Sequence, residues 1–322
     1  MRVARITTTG GADVFEIVET SDPEPGPGEA VVTAAAAGVN YIDIYRRSGH
    51  YTVDLPAVLG SEGAGTVTAV GAEVSQVAVG DRVAWAGVLG SYAERALVPA
   101  ERLVPVPDEV ALDVAAASLL QGMTAQYLTT STFPLAAGDT VLIYAAAGGV
   151  GRLLVQMASR LGARVLACTS TDEKERIARE LGADEVIRYR DVDVAQRVAE
   201  LTDGAGVDVV YDSVGADTFE GSLRSLRPRG LLVVYGESSG AVPPIDLREL
   251  ASHGSLFLTR PGLQAHIRSR EELLTRSSAV FDLIAAGELD VHIHRRYPLE
   301  DVARSHVDLA SGTTSGKLLL VP

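Results

Sequence analysis

Between residues 141 and 259, short apolar runs alternate with segments whose apolar residues recur at helical spacing. The runs predict strands at residues 141–144, 164–169, 185–189, 207–212, 231–236 and 255–259. The intervening segments predict helices, among them residues 172–181, 195–201 and 218–226. Strands separated by helices are typical of a parallel, doubly wound α/β sheet.

The chain before this region has a different pattern. Up to about residue 107, short β-type segments are separated by Gly and Pro, which predicts a compact, mostly β domain. A helical pattern follows at residues 112–128. The last part, with a helical segment at 271–286 and an extended one at 317–321, does not continue the alternation. We therefore predict domain bounds of 1–120, 121–260 and 261–322, with the third segment returning to the first domain.

The turn after the first strand of the alternating region contains residues 146–151, Ala-Ala-Gly-Gly-Val-Gly. It departs from the usual G-x-G-x-x-G because Ala146 replaces the first glycine. Gly148 lets the backbone approach a pyrophosphate, and Gly151 lets helix and strand pack closely. A glycine cluster alone is equally consistent with an ordinary helix-entry turn. The flanking strand and helix favour a dinucleotide site, where helix N–H groups face the negative charge.

The choice of nicotinamide cofactor depends on the end of the second strand, where an acidic residue favours NAD(H). Residues 169–171 contain no acid, and Lys174 follows one turn later. Lys174 can meet a 2′-phosphate and Ser170 can donate a hydrogen bond to it, so we predict NADP(H). Two alternatives remain: Ser170 or its neighbour caps a helix above a solvated lysine, or a shifted register makes Asp172 or Glu173 an acidic reader.

Composition limits the classes of partner and compartment. The net charge of 28 − 42 = −14 disfavours nucleic acids and anionic membrane surfaces as partners. Cys168 is the only cysteine, which rules out an intrachain disulfide and is consistent with a cytoplasmic protein. We find neither an apolar run of transmembrane length nor a signal-peptide pattern.

Eight separated segments carry a family pattern: 38–43 (GVNYID), 59–65 (LGSEGAG), 79–83 (VGDRV), 121–125 (QGMTA), 146–151 (AAGGVG), 181–184 (LGAD), 211–215 (YDSVG) and 259–261 (TRP). In these segments the chain resembles the medium-chain dehydrogenase/reductases, and within them the zinc-independent NADPH:quinone oxidoreductases that include zeta-crystallin. The resemblance covers essentially the whole length. It implies a Rossmann domain for NADPH, a GroES-like catalytic domain and a homodimer.

The resemblance also bears on metal binding. Zinc-dependent relatives carry a cysteine where Asn40 stands and a histidine where Ser61 stands, and an amide and a hydroxyl do not replace these ligands. The clustered cysteines of a structural zinc site are absent as well. His292 and His294 flank Ile293 and share a strand face; we interpret them as solvent-facing residues. No metal is therefore expected.

A quinone suits a site without a metal. It accepts a hydride to give an aromatic hydroquinone anion, which needs little protonation in the transition state. We predict Asn40, Tyr45 and Tyr51 as the catalytic polar groups. The resemblance places Asn40 and Tyr45 against the nicotinamide end of NADPH. An equally good alternative is that the two tyrosines only line the cleft.

The resemblance implies further contacts with NADPH, which we group by the part of the cofactor. They are Thr124 near the nicotinamide or phosphates; Gly148, Gly149, Val150 and Gly151 at the pyrophosphate; Ser170, Lys174 and Tyr189 at the 2′-phosphate and adenosine; Ser213, Tyr235 and Ser238 at the carboxyl edge of the sheet; and Phe257, Thr259 and Lys317 as additional candidates. Glu237 would disfavour a phosphorylated cofactor unless its carboxylate points away.

These observations predict an NADPH-dependent quinone oxidoreductase acting on a small electrophilic molecule. One alternative is a reductase of activated alkenes such as alkenals or enones, which uses the same cofactor and hydride. Another is a non-catalytic NADPH-binding protein with a structural or RNA-binding role, although the acidity of the chain argues against RNA.

Overall fold

The computed structural model describes residues 1–322. It divides into two compact units: Met1–Met123 with His266–Pro322, and Thr124–Ala265. The predicted bounds lie a few residues earlier, at 120 and 260. The first unit is assembled from both ends of the chain, and the second is one continuous segment.

Sixteen strands are present: β1 Arg2–Ile6, β2 Phe15–Glu19, β3 Glu29–Val39, β4 Ala57–Val58, β5 Glu62–Val70, β6 Arg82–Ala86, β7 Arg95–Pro99, β8 Val104–Pro105, β9 Thr140–Ile143, β10 Arg164–Thr169, β11 Glu185–Arg188, β12 Val207–Asp212, β13 Leu226–Val234, β14 Phe257–Thr259, β15 Ile293–Pro298 and β16 Lys317–Val321. Ten α-helices are present: α1 Tyr41–Ser48, α2 Leu112–Tyr127, α3 Gly149–Arg160, α4 Asp172–Glu180, α5 Val194–Leu201, α6 Phe219–Ser225, α7 Leu247–Ser252, α8 Leu263–His266, α9 Arg270–Ala285 and α10 Val302–Ala310. None of these helices combines the length and the apolar character needed to span a membrane.

The second unit is built on a six-stranded parallel sheet in the order β11-β10-β9-β12-β13-β14. Counted from β9, this order is 3-2-1-4-5-6, the arrangement of a dinucleotide-binding Rossmann sheet. The strands are almost continuously apolar because helices cover both faces, and Leu142, Leu166, Val210 and Leu232 are fully buried. The order reverses between β9 and β12, so their carboxyl ends flank the crevice where such sheets bind ligands.

The first unit is mostly β, as predicted. The eleven-residue strand β3 pairs with β5, β7 and β16, all antiparallel, within a seven-stranded sheet. β1, β2 and β4 form a separate three-stranded sheet. Strand β16 comes from the C-terminus and pairs with β3 of this sheet.

Two strands of the second unit differ from their predicted bounds. The sixth is shorter, because only Phe257–Thr259 pairs with β13. The fifth begins earlier, at Leu226, where it pairs with Val207 before a break in register. The sequence hides this start because a Pro-Arg-Gly stretch at residues 228–230 has the composition of a turn.

Candidate active site and cofactor site

The turn between β9 and α3 has the geometry of a phosphate-binding turn. Ala145 has φ 50°, in the left-handed region. Gly148 is the N-cap residue of α3 and has an extended backbone, and the helix begins with Gly149 and Val150. A Cβ at Gly151 would lie 2.2 Å from the Ala145 carbonyl oxygen, so only glycine fits there. The left-handed residue of the turn is therefore Ala145, whereas the sequence pattern placed the substituted glycine at Ala146.

The turn after β12 brings the predicted carboxyl-edge residues together. The buried carboxylate of Asp212 accepts hydrogen bonds from two backbone N–H groups of this turn and from the Ser222 hydroxyl. The Tyr235 N–H donates to the Asp212 carbonyl at 2.8 Å, and the Ser238 N–H donates to the Ser213 carbonyl at 3.2 Å. Asp212 thus positions this edge, a role that the sequence analysis did not assign.

The two residues predicted on β14 are placed differently. Thr259 is paired with Val233 near the carboxyl end of the sheet, on the ligand-binding edge. Phe257 starts β14, at the other end of the strand, and is 61% exposed. Parallel sheets bind ligands at the carboxyl ends of their strands, and the cofactor role of Phe257 stays a prediction.

A basic cluster follows β10 and β11. Thr171, not Ser170, caps α4 by accepting a hydrogen bond from the Lys174 N–H at 3.3 Å. Burial and the charge of Arg190 lower the pKa of Lys174. Arg190 itself lies over the ring of Tyr189, 5.9 Å from its centroid. Arg190 was not predicted at this site, although it follows Tyr189 directly in the sequence.

The nearby carboxylates have cationic partners. Asp172, an acidic reader in the shifted-register alternative, is 88% exposed at its side chain and pairs with Arg188. Glu237 lies 3.0 Å from the Arg260 guanidinium. Pairing removes much of the repulsion that these acids would exert on a phosphorylated cofactor.

In the first unit, Asn40 belongs to a buried hydrogen-bond network. The Lys317 ammonium donates to Asn40 Oδ1 at 2.7 Å and to Glu62 Oε2 at 2.6 Å. Asn40 Nδ2 donates to the same Glu62 oxygen at 3.0 Å and to the Gly38 carbonyl at 3.2 Å. Glu62 Oε1 accepts from the Leu120 N–H at 2.6 Å.

This network changes how Asn40 and Lys317 are understood. Both amide hydrogens of Asn40 are used within the protein, and its carbonyl oxygen accepts from Lys317 and, at 3.4 Å, from Gln121. Lys317 is 2% exposed and Glu62 is 0% exposed. Removing one partner of a buried ion pair strongly destabilises the folded protein, so Lys317 and Glu62 are fixed together. Their hydrogen bonds to the Asn40 amide hold it in one orientation.

A second buried carboxylate, Asp43, lies at the start of α1. It accepts hydrogen bonds from the Asn40 N–H at 3.1 Å, from the Tyr92 hydroxyl at 3.0 Å and from the Ser61 hydroxyl. Arg46 NH1 donates to the Ser61 hydroxyl and lies 3.9 Å from Asp43 Oδ1. Burial raises the pKa of Asp43, and these donors counteract that rise.

His306 extends this second network and was not singled out by the sequence analysis. Its Nε2 lies 3.1 Å from the Tyr92 hydroxyl, whose own hydrogen goes to Asp43, so Nε2 carries the proton. Nδ1 is buried without a hydrogen-bond partner, and Phe15 packs edge-on against the ring. Burial, with the charge of Arg47, lowers the pKa of His306 to about 3.

The predicted tyrosines lie together at the end of α1. The rings of Tyr45 and Tyr51 are 5.2 Å apart, and His50 lies 5.2 Å from each of them. His50 was missed because its spacing carries no periodic signal. In the second unit, Thr124 is 8% exposed on α2. The catalytic and cofactor roles of these residues remain predictions.

The donor groups near Asn40 and Ser61 are not a zinc ligand set. An amide oxygen and a hydroxyl occupy the two positions, and the Lys317 ammonium lies against the first of them. No three His, Cys, Asp or Glu side chains are clustered to hold a metal ion anywhere in the chain. His292 and His294 are both exposed, on either side of Ile293.

The chain matches two known families. Residues 26–108 match the alcohol dehydrogenase GroES-like domain, and residues 149–271 match the zinc-binding dehydrogenase family. The first match falls in the mostly β unit, and the second covers most of the Rossmann unit and extends to residue 271 in the first unit. The fold and the sequence together define a two-domain oxidoreductase of the medium-chain dehydrogenase type.

Similar proteins narrow this class. The chain is 46% identical to a quinone oxidoreductase of Pseudomonas aeruginosa over 97% of both chains, and 42% identical to a 2-haloacrylate reductase of Burkholderia over 99% and 98%. The structure of Escherichia coli quinone oxidoreductase complexed with NADPH superposes with a TM-score of 0.98, at 41% identity and full coverage of both chains. The chain belongs to the quinone oxidoreductase family of the medium-chain dehydrogenase/reductases.

The environment of His306 predicts a pH-dependent stability. His306 stays neutral in the folded protein down to about pH 3, whereas in the unfolded chain it protonates near its usual pKa of about 6.5. Between these values the unfolded state binds one more proton, so the free energy of unfolding falls by about 1.4 kcal/mol per pH unit as the pH decreases. The change begins near neutral pH, before the carboxylates titrate.

Urea unfolding at several pH values between 5 and 7 measures this slope. We expect His306→Gln to remove about one proton's worth of slope, whereas His294→Gln, at an exposed position, leaves the slope unchanged. Equal slopes for wild type and His306→Gln would contradict the assignment.

Proposed function

We propose that this protein reduces quinones with NADPH by hydride transfer. The observation that carries the proposal is the pairing of a Rossmann turn and basic cluster with full-length similarity to quinone oxidoreductases, one of them solved with NADPH. NADPH, when bound, supplies the hydride. The other roles belong to side chains of the two units.

The second unit fits a phosphorylated dinucleotide. A Cβ at Gly151 would collide with the Ala145 carbonyl, so the glycine lets α3 start close against the turn. The backbone N–H groups at the start of α3 can then face a pyrophosphate. The Thr169 hydroxyl, at the carboxyl end of β10, is buried without a hydrogen-bond partner. Lys174 and Arg190 supply positive charge for the 2′-phosphate. A site selective for NAD(H) would carry an acidic residue at this place.

In the first unit, we assign Asn40 to positioning, because its amide is held by Lys317 and Glu62. Tyr45 and Tyr51 form an aromatic surface suited to a flat ring, and the phenol groups can hydrogen-bond a quinone oxygen. We further propose that the reaction uses no metal, because Asn40 and Ser61 are poor zinc ligands and a lysine ammonium adjoins Asn40.

A second candidate function is the reduction of an activated alkene. It is favoured by the 42% identity to a 2-haloacrylate reductase over nearly the whole chain. Both reactions deliver a hydride to an electron-poor carbon or oxygen and leave an oxyanion, so the same residues serve either substrate.

The central test is a matrix of cofactors and substrates. We expect NADPH with 1,4-benzoquinone to give the highest kcat/KM, with NADH much poorer and with turnover unchanged by a metal chelator. Steady-state rates with 1,4-benzoquinone, 2-chloroacrylate and 2-alkenals measure this. Faster turnover of the acrylate or alkenals would move the assignment to alkene reduction, and no oxidation of NADPH by any substrate would reject a catalytic role.

Lys174 tests the phosphate site. Lys174→Ala should weaken NADPH binding by about 1–3 kcal/mol, because a charge-assisted contact is lost, and leave NADH binding nearly unchanged. Calorimetric titration with both cofactors measures the difference. Arg176→Ala is the matched control, since Arg176 is on the same helix but pairs with Glu180. Equal weakening of both cofactors in Lys174→Ala would exclude Lys174 from this site.

We also propose a homodimer in the cytoplasm. Strand β14 is the edge strand of the sheet in the second unit, so its outer backbone groups have no strand partner, and its first residue, Phe257, is exposed. A second copy can pair with this edge around a two-fold axis. The cytoplasmic location rests on the single cysteine, buried and reduced, which is typical of proteins from reducing compartments.

Light scattering on the purified protein tests the dimer. We expect twice the mass of 33.7 kDa for wild type and a shift toward the monomer for Phe257→Asp, because a charge would be buried at the edge. Leu247→Asp, at a 74% exposed position, serves as the control. A monomeric wild type would refute the proposal.

A further inference from the structure

The guanidinium of Arg46 is partly exposed and has hydrogen-bond donors that the protein does not use. It lies on α1, which begins directly after Asn40, and its side chain is 18% exposed. NH1 donates to the Ser61 hydroxyl and lies 3.9 Å from Asp43 Oδ1. Nε and NH2 make no hydrogen bond, so several donors of a partly buried guanidinium are unused.

The two neighbouring cations, Lys317 and Arg47, are more deeply buried than Arg46. The Lys317 ammonium is 2% exposed and is occupied by Asn40 and Glu62. Arg47 is 8% exposed, donates to the Gly10 carbonyl and has a pKa lowered by burial. Arg46, with an 18% exposed side chain, is therefore the least buried of these three cations, and its Nε and NH2 make no hydrogen bond.

The position of Arg46 next to Ser61 suits the stabilisation of a substrate oxyanion. Ser61, which it contacts, stands where zinc-dependent relatives carry a histidine ligand, so the guanidinium lies beside the position from which a metal would polarise a substrate oxygen. A guanidinium in a partly dehydrated place stabilises a developing oxyanion far better than water does. Ser61 and Asp43 hold it in place, so little reorganisation is needed during the reaction.

We propose that Arg46 is a catalytic residue that hydrogen-bonds the substrate oxygen on which negative charge develops. This inference rests on the proposed quinone reduction. Bound NADPH would give a hydride, with its electron pair, to one quinone oxygen and would leave as NADP⁺. The other oxygen, which becomes the phenolate of the hydroquinone, would face the Nε and NH2 donors of Arg46. Water then supplies the proton that completes the hydroquinone.

The kinetic test compares Arg46→Gln and Arg46→Lys with wild type. Loss of one preorganised oxyanion donor lowers kcat by about 100-fold, so we expect this for Arg46→Gln, with a smaller change in KM. Arg46→Lys keeps the charge but loses the planar fork, and we expect a loss of about 10-fold. Arg304→Gln, a 58% exposed position in the same unit, serves as the control and should keep wild-type kcat.

A spectroscopic test does not depend on turnover. 4-Nitrophenol resembles the product anion, and its absorbance reports whether it is ionised. Wild type should lower the pKa of the bound nitrophenol by about one unit relative to Arg46→Gln, because an adjacent opposite charge favours the anion. A purely structural role of Arg46 would change the thermal unfolding midpoint without this selective change in ionisation.

The outcomes separate the inference from the function on which it rests. If wild type shows no NADPH:quinone turnover, the proposed function fails, and the nitrophenol titration still decides the role of Arg46. If wild type turns over and Arg46→Gln keeps its kcat within threefold and the same nitrophenol ionisation, the inference is overturned. Should Arg46→Gln fail to fold, a kcat of Arg46→Lys equal to wild type overturns it instead.

Discussion

The burial of the Glu62 carboxylate is the constraint on which the first unit depends. A carboxylate with no exposed surface requires a paired cation and hydrogen-bond donors, and here these come from distant parts of the chain. Lys317 comes from the C-terminal strand, Asn40 from the residue before α1, and the Leu120 N–H from α2. The need to neutralise the Glu62 carboxylate thus holds the C-terminal strand beside β3. It also holds the Asn40 side chain in one orientation.

Two other buried carboxylates are also neutralised by hydrogen-bond donors from their surroundings. Asp43 collects donors from Asn40, Ser61 and Tyr92, and in the second unit Asp212 collects them from the turn after β12. Each buried carboxylate has almost all of its acceptor sites filled by the protein itself. Such fully satisfied networks are rigid, and a rigid framework is what hydride transfer requires, since its rate depends on the position of the reacting atoms.

The charges around Asn40 also explain how one scaffold supports different chemistry. The resemblance implies metal ligands at the positions of Asn40 and Ser61 in zinc-dependent relatives, whereas in this chain the cationic side chains of Lys317 and Arg46 adjoin these positions. Positive charge therefore persists at this place in a different form. It suits acceptors that become stabilised anions, such as quinones and activated alkenes, more than simple ketones, whose alkoxides need a strong Lewis acid or a proton donor.

The sequence by itself indicated the Rossmann sheet, the glycine-rich turn before α3 and the family, because each depends on local periodicity or on residues adjacent in the chain. It also indicated Lys174, which follows the second strand by one turn. Only the tertiary structure decided that Asn40, Glu62 and Lys317 share one network, that Arg190 joins Lys174, and that Phe257 is exposed at the start of its strand. These contacts join residues far apart in sequence, and no local pattern records which distant group will satisfy a buried charge.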